Sequence, residues 1–162
     1  MALMFFAATD ADAGEWFVFQ EDKDKGEKAE ARVRRLPPAE RERIERKHFG
    51  KTRRVTYTEQ GAVQDLNREK QSAAVRERAN YSLIDTRGFE IVVGGEDAQR
   101  RLSEILGQDV KIGETLRLDG KWNDALKDLI FSGLESFESW VIERAAEIGQ
   151  REKKEEDEAS GN

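Results

Sequence analysis

The sequence predicts an α+β fold, mainly α-helical, in which a small N-terminal β-hairpin precedes a C-terminal pair of amphipathic helices. Three observations carry this reading. Glu15 to Gln20 is short, aromatic and β-branched, while Lys28 to Leu36 alternates Ala29, Ala31 and Val33 with Glu30, Arg32 and Arg34, as two paired strands do. From Trp122 to Ile148 apolar residues recur at three and four, the spacing of the buried face of one or two helices. Finally, 38% charged residues and a mean hydropathy of -0.81 leave only a modest core for 162 residues. That suits one globular domain over residues 1–149 with a loosely held end.

Each element follows from local chemistry. The charged run Glu21 to Lys28 is the loop of the hairpin. Pro37 and Pro38 stop its second strand, and Pro38 opens a helix over Ala39 to Lys47, because the N–H it lacks has no partner in a first turn. Ile44 is the one strong anchor of that helix, which ends near Phe49 with Gly50 as its cap. Thr52 to Thr58 reads as a short strand with Val55 and Tyr57 on one face. Ala62 to Leu83 is rich in helix formers and carries a thin apolar stripe through Ala73, Ala74 and Ala79, so a helix is expected throughout. Asp85 to Gly88 is turn chemistry, and Phe89 to Val93 is a compact apolar strand ending at Gly94 and Gly95.

Glu96 to Leu106 places Ala98, Leu102, Ile105 and Leu106 at helical spacing, and Val110 to Leu118 is extended around Gly113. The long periodic run that follows divides near Gly133, because Ser132 and Glu135 stand at capping-box spacing. Trp122, Phe137 and Trp140 are aromatic anchors of this run, each worth roughly 1.5–3 kcal/mol if buried. Residues 150–162 contain one apolar residue, Ala159, and predict a frayed helix end passing into a disordered acidic tail.

Composition narrows the function. Without cysteine there are no disulfides, thiolate metal sites or cysteine nucleophiles. Met1 to Ala8 is apolar but too short to span a bilayer and lacks a basic leader, so a soluble chain of cytosolic type with no membrane partner is expected. This segment either completes the hairpin's sheet or docks onto another subunit of a homo-oligomer. The net charge of -6 hides a segmentation: residues 32–54 hold 10 basic and 3 acidic groups, between acidic ends. Such a belt attracts an acidic partner or nucleic acid, or is neutralised within the molecule. Glu40, Glu42 and Glu45 interleave with its arginines at helical spacing, which favours neutralisation.

No catalytic, metal or cofactor site emerges. His48 is the single histidine and lies in the last turn of an expected helix, where an imidazole interacts well with carbonyl ends. The pairs Asp10 and Asp12, Asp22 and Asp24, and Asp119 and Asp124 lack the order of a calcium loop and read as solvated. Gly94 and Gly95 precede the acidic Glu96 and Asp97, which would repel phosphate, so they are a turn and a helix cap. The chain is not expected to be an enzyme or to carry a cofactor.

The order of parts resembles the small tail-assembly chaperones and tail accessory proteins of long-tailed bacteriophages. The likeness rests on the hairpin leading into Val33-Arg34-Arg35-Leu36-Pro37-Pro38-Ala39-Glu40-Arg41, which is similar to a strand ending in an Arg-x-Leu stretch and a charged helix. It rests also on Leu83-Ile84-Asp85-Thr86-Arg87-Gly88-Phe89, on Leu118-Asp119-Gly120-Lys121-Trp122, and on two C-terminal helices with a short acidic tail. The resemblance implies a non-enzymatic adaptor or chaperone that binds tail-tube or tape-measure protein in the cytoplasm of a bacterial host. The basic belt and the apolar N-terminus depart from the family pattern. Within that reading Arg41, Arg43, Arg46, Arg53 and Arg54 are the expected partner face. The alternatives are a structural subunit of the virion and a nucleic-acid-binding regulator using residues 32–54.

Overall fold

Aromatic and β-branched residues build the first element, an antiparallel hairpin of β1 (Glu15–Asp22) and β2 (Glu27–Val33). The computed structural model describes residues 13–50, 55–58, 61–64 and 68–160. In it the chain is α+β and mainly helical, with a small N-terminal three-stranded antiparallel sheet. The third strand of that sheet, β5 (Leu83–Arg87), pairs with β2 and leaves β1 and β5 at the edges.

Strand β5 corrects two expectations. Leu83 does not end a helix, and Asp85 to Arg87 is not a turn; instead Ala31 faces Thr86 and Arg32 faces Asp85 across the ladder. Helix α2 (Arg68–Ser82) stops at Ser82, whose carbonyl accepts from the Arg34 N–H at 2.9 Å. The ladder formed with a strand some fifty residues away satisfies the backbone better than another helical turn would. The start of the expected helix is also corrected. Gly61–Gln64 is β4, antiparallel to β3 (Val55–Thr58), with Thr56 facing Val63. The strand expected over Thr52 to Thr58 is therefore present from Val55, and its earlier residues lie outside the described set.

Helix α1 (Pro38–Phe49) begins at the second proline as expected, with Ile44 fully buried, and Gly50 closes it at φ 75° with its N–H on the Arg46 carbonyl. β6 (Glu90–Val92) pairs with β7 (Thr115–Arg117), so the extended stretch expected from Val110 shrinks to three residues of strand. Between them lies α3 (Glu96–Leu106), which takes Gly95 as its N-cap.

The periodic run splits as expected into α4 (Asp124–Gly133) and α5 (Glu135–Ser160), but not by a capping box. Ser132 lies in the last turn of α4, where its hydroxyl donates to the Asp128 carbonyl. The side-chain cap is at the other end, where Asn123 accepts from the Leu126 N–H at 2.8 Å. α5 continues to Ser160, where the composition predicts a frayed end passing into a disordered acidic tail. Arg151 forks onto Glu15 and Glu152 pairs with Arg35, and beyond Glu152 every described residue is exposed.

Phe137 is the hub of the core. It is fully buried, with ring centroids 4.9 Å from Phe19, 5.0 Å from Phe89 and 5.5 Å from Phe131. Trp140 and Trp122 are only half-buried and pack around it at 5.9 and 6.4 Å. The C-terminal helices thus form the core together with the hairpin, because Phe17 and Phe19 reach across to Trp140.

Candidate functional site

Among the described residues, much of the basic belt is satisfied within the chain. Arg43 pairs with Glu40 and Glu77, Arg46 with Glu42, and Arg78 of α2 with Glu45. Lys47 bonds Glu77, and the His48 ring faces the same carboxylate at 3.6 Å. Burial pushes the Glu77 carboxyl up, but the Lys47 hydrogen bond and the charges of Lys47, His48 and Arg43 outweigh it and hold the group below its usual range. His48 is therefore turned towards α2 rather than simply closing its own helix. Arg34 stacks over Tyr81 at 3.9 Å and donates to the Tyr81 carbonyl. Of the expected partner face, Arg41 is exposed without an ion-pair partner among the described residues, Arg43 and Arg46 are engaged, and Arg53 and Arg54 lie outside the described set.

A polar cleft separates α1, α2 and α4. Lys127 projects into it from α4 and donates to the Asn80 carbonyl at 2.7 Å. Burial pushes the Lys127 amine below its usual value, Asp124 pulls it back, and Arg34 lowers it further. Arg76 crosses the same region onto Glu138, the Asp128 carbonyl and the Ser132 hydroxyl. These groups are spent joining helices.

The two later motifs of the sequence meet in space. Asp119 accepts from the Thr86 hydroxyl at 2.7 Å, the Gly88 N–H at 2.8 Å and the Phe89 N–H at 3.2 Å. Asp85 accepts from the Gly120 N–H, and the Trp122 indole donates to the Thr86 hydroxyl. This knot fixes the turn between β5 and β6. Gly88 occupies it at φ 69°, and a Cβ there would stand 2.2 Å from the Lys28 carbonyl oxygen, so only glycine fits without a backbone shift. Asp119 is thus a turn anchor, not half of a solvated acidic pair with Asp124.

By setting that turn, the knot opens a groove of about 830 Å³ between the hairpin tip, β6, α3 and the end of α4. Its walls include Phe19, Ala29, Ile91, Leu102, Leu129 and Ile130. Two large apolar residues stand out to solvent on its lining: Val92 is 66% exposed and Leu134 38%. Its charged lining residues are Glu21, Asp22, Glu27, Glu90 and a single cation, Lys28. The sequence missed this groove. Val92 sits between Ile91 and Val93 and reads as one residue of a buried strand, and Leu134 reads as part of a helical stripe. The only local signal is the alternation of a strand, which puts Val93 inside and Val92 outside.

Among the described residues there is no cluster of three or more histidine, aspartate or glutamate side chains placed to hold a metal ion, and no helix is long and apolar enough to cross a membrane. No protein-family model, curated protein or solved structure matches the chain.

Proposed function

We propose that this protein is a non-enzymatic phage tail assembly protein, a chaperone or adaptor that holds a tail-tube or tape-measure protein until it polymerises. The motifs that resemble the tail-assembly family support the assembly role, and one physical observation carries the binding role. That observation is the open apolar groove with Val92 and Leu134 on its lining, a contiguous surface of the kind that marks docking sites. Asp85, Thr86 and Asp119 lie behind the lining and are occupied in holding the turn that shapes it. On α1 the charged residues divide: Arg41 lines a cleft towards α5, whereas Arg43 lines the polar cleft towards α2 and α4.

Co-expression with tail-tube or tape-measure protein, followed by affinity capture and size-exclusion chromatography with light scattering, tests this reading. A tail protein that co-purifies and stays soluble only in the presence of the chain is the expected result. A chain that neither binds a tail protein nor changes its solubility would overturn it.

A further inference from the structure

We propose that the groove takes an apolar peptide segment flanked by lysine or arginine, an inference that rests on the assembly reading and names the chemistry of its partner. The apolar part follows from the walls. Phe19, Ile91 and Leu102 line the cleft, and Val92 and Leu134 on its lining are left in water, so an incoming segment that covers them removes apolar surface from solvent on both sides.

The basic flanks follow from the rim, where four carboxylates meet one amine. Glu21 and Glu27 make no ion pair among the described residues, whereas the belt on α1 is largely paired. Asp22 and Glu27 stand directly opposite one another across the hairpin, an arrangement of like charges that costs stability until a cation comes between them. Asp22 also accepts from the Asp24 and Lys25 N–H groups, which fixes its carboxylate at the tip. Glu90 shares Arg117 and faces the same opening. Glu21 stands opposite Lys28 across the hairpin, so the uncompensated site is the Asp22 and Glu27 pair, where an arriving cation displaces no existing ion pair. The same rim repels nucleic acid and anionic lipid headgroups, so a peptide is the occupant that satisfies both the walls and the charge.

The test uses the full chain and two fluorescein-labelled peptides with one apolar core, KKLLALLKK and EELLALLEE, in fluorescence anisotropy. The basic peptide is expected to bind at least about tenfold more tightly than the acidic one, with a gap that closes as salt is raised. Val92→Glu and Leu134→Glu each change an exposed side chain, so the fold should survive, as an unchanged thermal midpoint would verify. Each is expected to weaken the basic peptide by about tenfold or more, and Glu21→Gln with Glu27→Gln by several-fold. Equal affinity for the two peptides, or binding indifferent to Val92→Glu and Leu134→Glu, would overturn the proposal.

The apolar Met1 to Ala8 segment is the rival occupant. Phe5→Asp with Phe6→Asp is expected to leave peptide affinity unchanged; a rise of about tenfold would overturn the proposal and assign the groove to the chain's own N-terminus. The two readings fail separately. Capture of a tail protein by the Val92→Glu, Leu134→Glu chain sinks the groove and spares the assembly role. Charge-selective peptide binding without tail capture supports the groove and sinks the assembly role.

Discussion

The belt on α1 and the groove at the hairpin tip carry opposite charge and opposite degrees of internal satisfaction. Arg43, Arg46 and Lys47 stand beside Glu40, Glu42 and Glu77, so α1 presents much less positive field to solvent than its arginines and lysine suggest. The groove has fewer charges, but Glu21 and Glu27 are not paired among the described residues, and Val92 and Leu134 lie uncovered beside them. Charge density along the sequence therefore does not show which charged groups the fold leaves unpaired. What matters is which groups the fold has already paired and which it leaves open.

Collapsing the floor beneath the groove should separate the two regions most. Phe137→Ala removes the ring that Phe19 and Phe89 both rest on, and should lower stability by about 3–5 kcal/mol in chemical denaturation. The belt pairs lie on α1 and α2 and should survive until the global transition. Next comes Gly88→Ala, where a Cβ would meet the Lys28 carbonyl in a left-handed backbone, at a cost of about 2–3 kcal/mol. Peptide affinity should fall with it, since the turn sets the groove wall. Asp119→Asn should cost about 2 kcal/mol, because the amide replaces a charged acceptor shared by Thr86, Gly88 and Phe89.

Smaller effects sharpen the belt's side. Glu77→Gln should cost about 1 kcal/mol or less, a surface network's share, measured by thermal melting at neutral pH. The folded Glu77 carboxyl titrates below its ordinary value of 4.5, so its contribution is fully present above that value and is lost as pH falls through the lower folded value. The stability difference between wild type and Glu77→Gln should therefore vanish on acidification below 4.5 and persist at pH 7. The smallest effect belongs to Arg46→Ala, whose pair with Glu42 is exposed on both sides and worth about 0.3–0.5 kcal/mol. If tail-protein capture nevertheless depends on Arg41, Arg43 and Arg46 and not on Val92, the belt is the partner face after all.

Helix α3 could be read from Ala98, Leu102, Ile105 and Leu106, and α1 from Pro38, Ile44 and Gly50, because periodicity and punctuation act within a few residues. The expected helix from Ala62 failed at both ends, at β4 and at β5, since helix propensity lost to ladders with other strands. Asp85 and Asp119 were visible as parts of separate motifs, yet nothing local says that they close one turn. Val92 was hidden by its apolar neighbours.

Local sequence was enough for α1, α3, the hairpin, the break near Gly133 and the composition of the charge belt, all properties of neighbours along the chain. Tertiary structure decided the strand that completes the sheet, the partners that quiet the belt, and the groove. Each of these joins groups far apart in sequence, as Lys47 meets Glu77 and Thr86 meets Asp119. Pairing and exposure are decided by the packed chain, since a carboxylate or a valine carries no local mark of whether a distant segment will cover it.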